Sequence, residues 1–122
     1  MSAENEKIVT DFCQAWSRRK LDEILGFMTE DAVYHNIPMA PAKGKTAIAA
    51  VVDGFLKMAD AIDFKILHTA SAGNMVMNER VDSFTYKGGK KGSVPVVGVF
   101  EVQGGKISAW RDYFDMKMAG VG

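Results

Sequence analysis

Two aspartates and one arginine carry the chemistry latent in this chain. Asp112 lies in KISAWRDYFDM (106–116), which reads as a β-strand because large apolar residues recur at every second position. Trp110, Asp112, Phe114 and Met116 then share one side, and the carboxylate has aromatic neighbours in place of water. Burying an ionised carboxylate is costly unless it is paired or hydrogen-bonded, so partners must come from elsewhere in the chain. A second strand, NMVMNERVDSF (74–84), offers them: Val76, Asn78, Arg80, Asp82 and Phe84 alternate onto one face. An arginine flanked by two carboxylates from neighbouring strands is a fixed electrostatic unit, able to hold one acid ionised and the other protonated. Acid and base catalysis at one site require that division.

A third polar group sits earlier, in AVYHNI (32–37). If this segment is extended, Tyr34 and Asn36 face one way and Val33, His35 and Ile37 the other. A phenol and a carboxamide together can hold one water molecule, since the amide both donates and accepts. A carboxylate beside them gives that water a base. Blander readings of the same residues stay open at this level. Arg80 with Asp82 fits a cross-strand ion pair on a solvated face, Asp112 faces outward if the register slips by one residue, and Tyr34 and Asn36 also suit a turn.

The elements that must position these groups divide between the two halves of the chain. Ile8, Phe12, Ala15 and Trp16 recur at helical spacing over residues 3–18, and Leu21, Ile24, Leu25 and Met28 over a short second helix at 20–28. A brief strand near 32–37 leads to a loop marked by Pro38, Pro41 and Gly44, then to a third helix over 45–61. Strands are expected at 63–70, 74–86, 93–103 and 106–117, separated by Ala72-Gly73, Gly88-Gly89 and Gly104-Gly105, which makes them an antiparallel meander. Helices first and strands afterwards point to an α+β fold. Such a sheet can curl over its helices and leave an apolar pocket with a few polar groups. Residues 38–42 and the stretch Met116 to Val121 are expected at its mouth. The third of these strands presents either Val94, Val96, Phe100 and Val102 or Val97 and Val99 inward, and periodicity does not choose between them.

Composition narrows the classes. A chain of 122 residues with 48% hydrophobic content suits a single domain over residues 1–122. Lys plus Arg and Asp plus Glu balance at 15 each, which favours neither nucleic acid nor an acidic membrane as partner. Lys87, Lys90 and Lys91 among glycines read as a solvated hairpin tip. Cys13 stands alone, so no intramolecular disulfide can form, and its place among apolar helix positions reads as a buried small hydrophobe. The N-terminus lacks an apolar signal core and no apolar run reaches membrane-spanning length, so a soluble cytoplasmic protein is expected. His35 and His68 show no metal-ligand spacing and read as structural. No metal or cofactor is expected.

Taken in order, Tyr34-His35-Asn36, Arg80-Val81-Asp82 and Asp112 within Trp110-Arg111-Asp112-Tyr113-Phe114 resemble the three active-site motifs of the limonene-1,2-epoxide hydrolase family. The resemblance runs over nearly the whole chain. It implies an NTF2-like cone, a curved antiparallel or mixed sheet wrapped by three N-terminal helices around an apolar pocket. It also implies a reaction in which water opens a small lipophilic epoxide in one step to a vicinal diol. By that resemblance Asp112 is the general base, Tyr34 and Asn36 hold the water, Asp82 is the general acid, and Arg80 bridges the two aspartates. A homodimer through the outer face of the sheet is implied as well, and the apolar residues on both faces of 93–103 agree with it. Two alternatives share the cone: an isomerase or cyclase of the ketosteroid-isomerase or polyketide-cyclase type, and a non-catalytic ligand-binding module.

Overall fold

A computed structural model describes residues 2–118. Helix α1 (Ser2–Ala15) continues as a 3-10 turn over Trp16–Arg18. Its inner face buries Val9, Phe12, Cys13, Ala15 and Trp16, the three-and-four spacing that lets one helix stripe face a core. The turn ends at Arg19, whose left-handed backbone (φ 56°) sends its N–H back to the Trp16 carbonyl. The Arg19 side chain then reaches the end of α3 (Lys45–Met58), where Nη1 donates to the Ala59 carbonyl at 2.7 Å. Between them lies α2 (Leu21–Gly26). No helix among the described residues is long and apolar enough to cross a membrane.

Six strands form one curved, open sheet: β1 (Met28–Asn36), β2 (Ala42–Lys43), β3 (Ala59–Ala72), β4 (Met75–Tyr86), β5 (Lys91–Gln103) and β6 (Lys106–Tyr113), in the order β2-β1-β6-β5-β4-β3. β3 to β6 are the expected antiparallel meander. β1 then joins β6 in parallel, setting Tyr34 beside Trp110 and Asn36 beside Asp112. Several boundaries differ from the sequence reading. β1 begins at Met28, not near residue 32, and β3 begins at Ala59, where the third helix was expected to continue to 61. Both extensions come from long-range pairing, with β6 and β4 respectively, which local periodicity does not register. β6 stops at Tyr113, so Phe114 and Met116 reach the concave side from the segment after the strand.

The register of β5 is resolved by burial. Val94, Val96, Phe100 and Val102 point into the core, while Val97 and Val99 lie on the opposite face, Val97 39% exposed and Val99 buried at 9%. Phe12 occupies the centre of that core. Its ring meets Trp110 edge-on at 4.9 Å, Phe27 at 5.7 Å, Phe100 at 6.2 Å and Trp16 at 6.5 Å, the geometry that aromatic quadrupoles favour. Truncating a fully buried phenylalanine loses its transfer free energy and leaves a cavity, so Phe12→Ala should cost about 3–5 kcal/mol. Urea unfolding followed by tryptophan fluorescence measures it, and a loss below about 1 kcal/mol would show that Phe12 is not the hub of this cluster.

Candidate active site

β4 delivers Asn78, Arg80 and Asp82 to the concave face at alternate positions, and β6 delivers Trp110 and Asp112 in the same way. All five are buried, Arg80 completely. Its guanidinium is satisfied on every nitrogen. Nε donates to Asp82 Oδ1 at 3.0 Å, Nη2 to Asp82 Oδ2 and to Asp112 Oδ2 at 2.9 Å each, and Nη1 to Asn78 Oδ1 at 2.9 Å. The Phe64 ring covers the cation, 5.0 Å from Cζ to centroid. Asp112 keeps a second donor, the Trp110 indole N–H, which reaches its Oδ1 at 2.6 Å.

The parallel strand β1 adds the last two groups. Tyr34 lies flat on Trp110, with ring centroids 4.0 Å apart and planes 9° from parallel. Its hydroxyl and the Asn36 carboxamide are mutual hydrogen-bond partners, 3.2 Å to Oδ1 and 3.0 Å from Nδ2. Thus Tyr34, Asn36, Arg80, Asp82 and Asp112, five residues from three strands, come together at one place. His35 and His68 do not join them: His35 Nε2 lies 2.8 Å from the Met39 carbonyl, and His68 pairs with Glu79 on the surface.

A cavity of about 210 Å³ opens above this group. Tyr34, Asn36, Asp82 and Asp112 form its polar floor, and its walls are apolar, among them Trp16, Phe55, Phe64, Phe84 and Val94. Arg80 is not part of the lining; it lies beneath the two carboxyls. Met39 reaches the cavity from the 38–42 loop and Met116 from the end of the chain, whereas residues 119–121, expected at the mouth, lie outside the described residues.

Burial governs the acid–base character of the floor. It pushes Asp82 up to about 6, with the Asp112 charge adding to the rise and Arg80 opposing it. Asp112 is also raised by burial, against the pull of Arg80 and the Trp110 N–H. Tyr34 is lifted well above the usual phenol range, first by burial and then by Asp112, and stays a neutral hydroxyl. Burial likewise pushes the Cys13 thiol up to about 12, so it is an inert packing group. One guanidinium thus faces two buried carboxyls, and in each acid the cost of burying charge outweighs its pull.

Two partners have roles that strand alternation does not reveal. Alternation sets Asn78 on the same face as Arg80, yet its hydrogen bond to Arg80 depends on the path of a side chain. Trp110 is an apolar neighbour of Asp112 by the same alternation, and in addition its N–H is a direct donor to that carboxylate.

The concave sheet, the covering helices and the polar floor define an NTF2-like α+β fold with a buried acid pair. At the level of fold alone it is similar to a putative polyketide cyclase from Xanthomonas campestris, with TM-score 0.87 and 20% identity over 99% of this chain and 98% of that one. The family model for the limonene-1,2-epoxide hydrolase catalytic domain matches residues 3–119, and the chain belongs to that family. It is 31% identical over 110 residues to epoxide hydrolase EphG of Mycobacterium tuberculosis, covering 88% of this chain and 71% of the relative. It is also similar to the solved structure of an LEH-like epoxide hydrolase from M. tuberculosis, with TM-score 0.86 and 27% identity over 98% of this chain and 88% of that one.

The raised acids give a signed prediction for stability. An acid whose folded pKa exceeds its unfolded value binds more protons in the native state, so stability falls as pH rises between the two values. For Asp82 that window runs from 3.8 to about 6. It corresponds to roughly 3 kcal/mol lost by pH 7, and Asp112 contributes with the same sign. Urea unfolding of wild type and of Asp82→Asn/Asp112→Asn at pH 4 and pH 7 should therefore show the difference moving in favour of the variant at the higher pH. A difference independent of pH would mean that neither carboxyl is raised.

Proposed function

We propose that this protein adds water to a small lipophilic epoxide in one step, giving a vicinal diol. The observation that carries the reading is the sharing of one buried guanidinium by Asp82 and Asp112 on the floor of an apolar cavity, with the Tyr34–Asn36 pair beside Asp112. An epoxide needs an activated nucleophile at carbon and a proton on its departing oxygen at the same time. Asp112 is the base, because Asn36 is its neighbour on the paired strand and, with Tyr34, offers the donor and acceptor that hold a water in place. Asp82 is the acid, raised to about 6 and therefore able to hold a proton in mildly acid solution where an ordinary aspartate has lost it.

In the reaction, the water oxygen forms a bond to one epoxide carbon as the carbon–oxygen bond of the ring breaks. Asp112 takes the proton that the water loses, and Asp82 gives its proton to the ring oxygen. The pair begins and ends with one proton, and its transfer from Asp112 back to Asp82 resets the site. Arg80 compensates the charge that changes place between the carboxyls without itself titrating. No metal or cofactor enters these steps. The apolar walls select a lipophilic substrate and exclude the bulk water that would screen the charges.

Turnover of limonene oxide, styrene oxide or cyclohexene oxide in oxygen-18 water tests the reading, with a labelled diol as the expected product. Asp112→Asn and Asp82→Asn should each lose several orders of magnitude in kcat, since members of a catalytic unit fail together. Arg80→Lys should be severely impaired because an ammonium cannot fork between two carboxylates. For the wild type the rate should decline above about pH 6, as Asp82 loses its proton. Unlabelled product, or near-normal activity in either Asn variant, would sink the assignment.

We further propose a homodimer that pairs the outer sheet faces and works in the cytoplasm. In support, Met75, Met77, Val97 and Tyr113 are exposed on adjacent strands of the face that the helices leave bare. The unpaired, buried Cys13 suits a reducing compartment. Light scattering at micromolar concentration should return twice the chain mass, and a monomer mass would remove the dimer alone.

A further inference from the structure

We infer that Gly98 is a positioning residue of this site: its missing side chain is the opening in β5 through which the Arg80 guanidinium crosses from β4 to Asp112 on β6. β5 lies between β4 and β6, so a side chain on one outer strand reaches the other only by passing over β5. Asn78, Gly98 and Asp112 are direct cross-strand partners in one transverse row, and Asn36 of β1 extends it. The Arg80 side chain leans into this row, its Nη1 on Asn78 and its Nη2 on Asp112. Gly98 is the one member of the row without a side chain of its own, and the guanidinium fills that space.

A Cβ at position 98 would overlap Arg80 Nη1 and fall 2.8 Å from Phe100 Cε1 and 2.9 Å from Asp112 Oδ1. The tip of an arginine ordinarily swings aside from a methyl group. Here it is completely buried, and Nε, Nη1 and Nη2 are all held, so any swing breaks a charged hydrogen bond. Backbone conformation does not account for the glycine, because Gly98 is absent from the positive-φ residues that mark the turns. Gly92, on the same strand, makes the contrast: the nearest atoms to a Cβ there belong to the half-buried Tyr86 ring, at 3.2 Å. Space for the guanidinium is what position 98 supplies.

The consequence falls on Asp112, whose titratable neighbours are Arg80 and Asp82 from β4, Tyr34 from β1 and Cys13 from α1. Arg80 is the only cation among them. Pushing the guanidinium away from Asp112 strands a buried carboxylate and removes the main pull that opposes the burial effect raising it.

The decisive variant is Gly98→Ala, with Gly92→Ala as the control for placing a methyl group on β5. Its kinetic readout rests on the proposed hydrolase function, whereas a carboxyl-carbon NMR titration of Asp112 needs no substrate. In Gly98→Ala, kcat should fall about a hundredfold or more, as expected when a catalytic group is misplaced, with KM little changed because the apolar walls are intact. Asp112 should titrate about one to three units higher than in wild type, and Gly92→Ala should match wild type in both. Should Gly98→Ala fail to fold, Gly98→Ala/Arg80→Lys should recover a cooperative thermal transition, since a lysine lacks the branch that meets the new methyl most closely; its midpoint should lie below that of Arg80→Lys alone, because the Phe100 ring and the Asp112 carboxyl must still shift. A folded Gly98→Ala with wild-type kcat and an unmoved Asp112 titration would overturn the inference. So would a double variant that also fails to fold. A wild-type protein inert toward every epoxide would remove the proposed reaction only, and the titration would still decide the role of Gly98.

Discussion

The buried guanidinium of Arg80 is the constraint to which the rest of the molecule conforms. A cation withdrawn from water must recover its lost solvation from fixed acceptors, and Arg80 does so through Asn78, Asp82 and Asp112 together with the face of Phe64. Burial alone would pull its proton affinity down; Asp112 first, and then Asp82, more than reverse that, so it stays charged. The two carboxyls are oversupplied with negative charge by the same arrangement. Burial raises both carboxyls above the ordinary carboxylate range, and Arg80 opposes the rise in each.

Structural core and candidate site are one continuous body here. Trp110 is the clearest case: its ring takes the edge of Phe12 and the stacked faces of Phe100 and Tyr34, and its N–H ends on Asp112. Tyr34 is held by that stack at the angle from which its hydroxyl meets Asn36. Polar groups fixed by rigid aromatic packing need little reorganisation when charge moves, which is the condition for electrostatic catalysis.

The fold itself is permissive. A chain that adopts nearly the same backbone at 20% identity bears the name of a putative polyketide cyclase, so the concave face defines a place for chemistry and leaves its kind open. In this chain that face carries a transverse row across β4, β5, β6 and β1: an amide, a gap, a carboxylate and a second amide. Above it opens a cavity of about 210 Å³ with mainly apolar walls.

Much of this was legible in the chain. Strand alternation put Asn78, Arg80 and Asp82 on one face, and Trp110 with Asp112 on another, because a pleated strand turns each successive side chain through half a revolution. Helical spacing around Phe12 and Trp16 identified the stripe that meets them, and paired glycines marked the turns of the meander. The remainder depended on contacts between residues far apart in sequence. The inward register of β5 was decided by which of its faces the helices cover, and the parallel docking of β1 on β6 brought Tyr34 and Asn36 to Asp112. Only the crossing of Arg80 above Gly98 turns an absence of atoms into an element of the site. Local periodicity reports where a side chain points, while the space it finds there is set by the strands on either side.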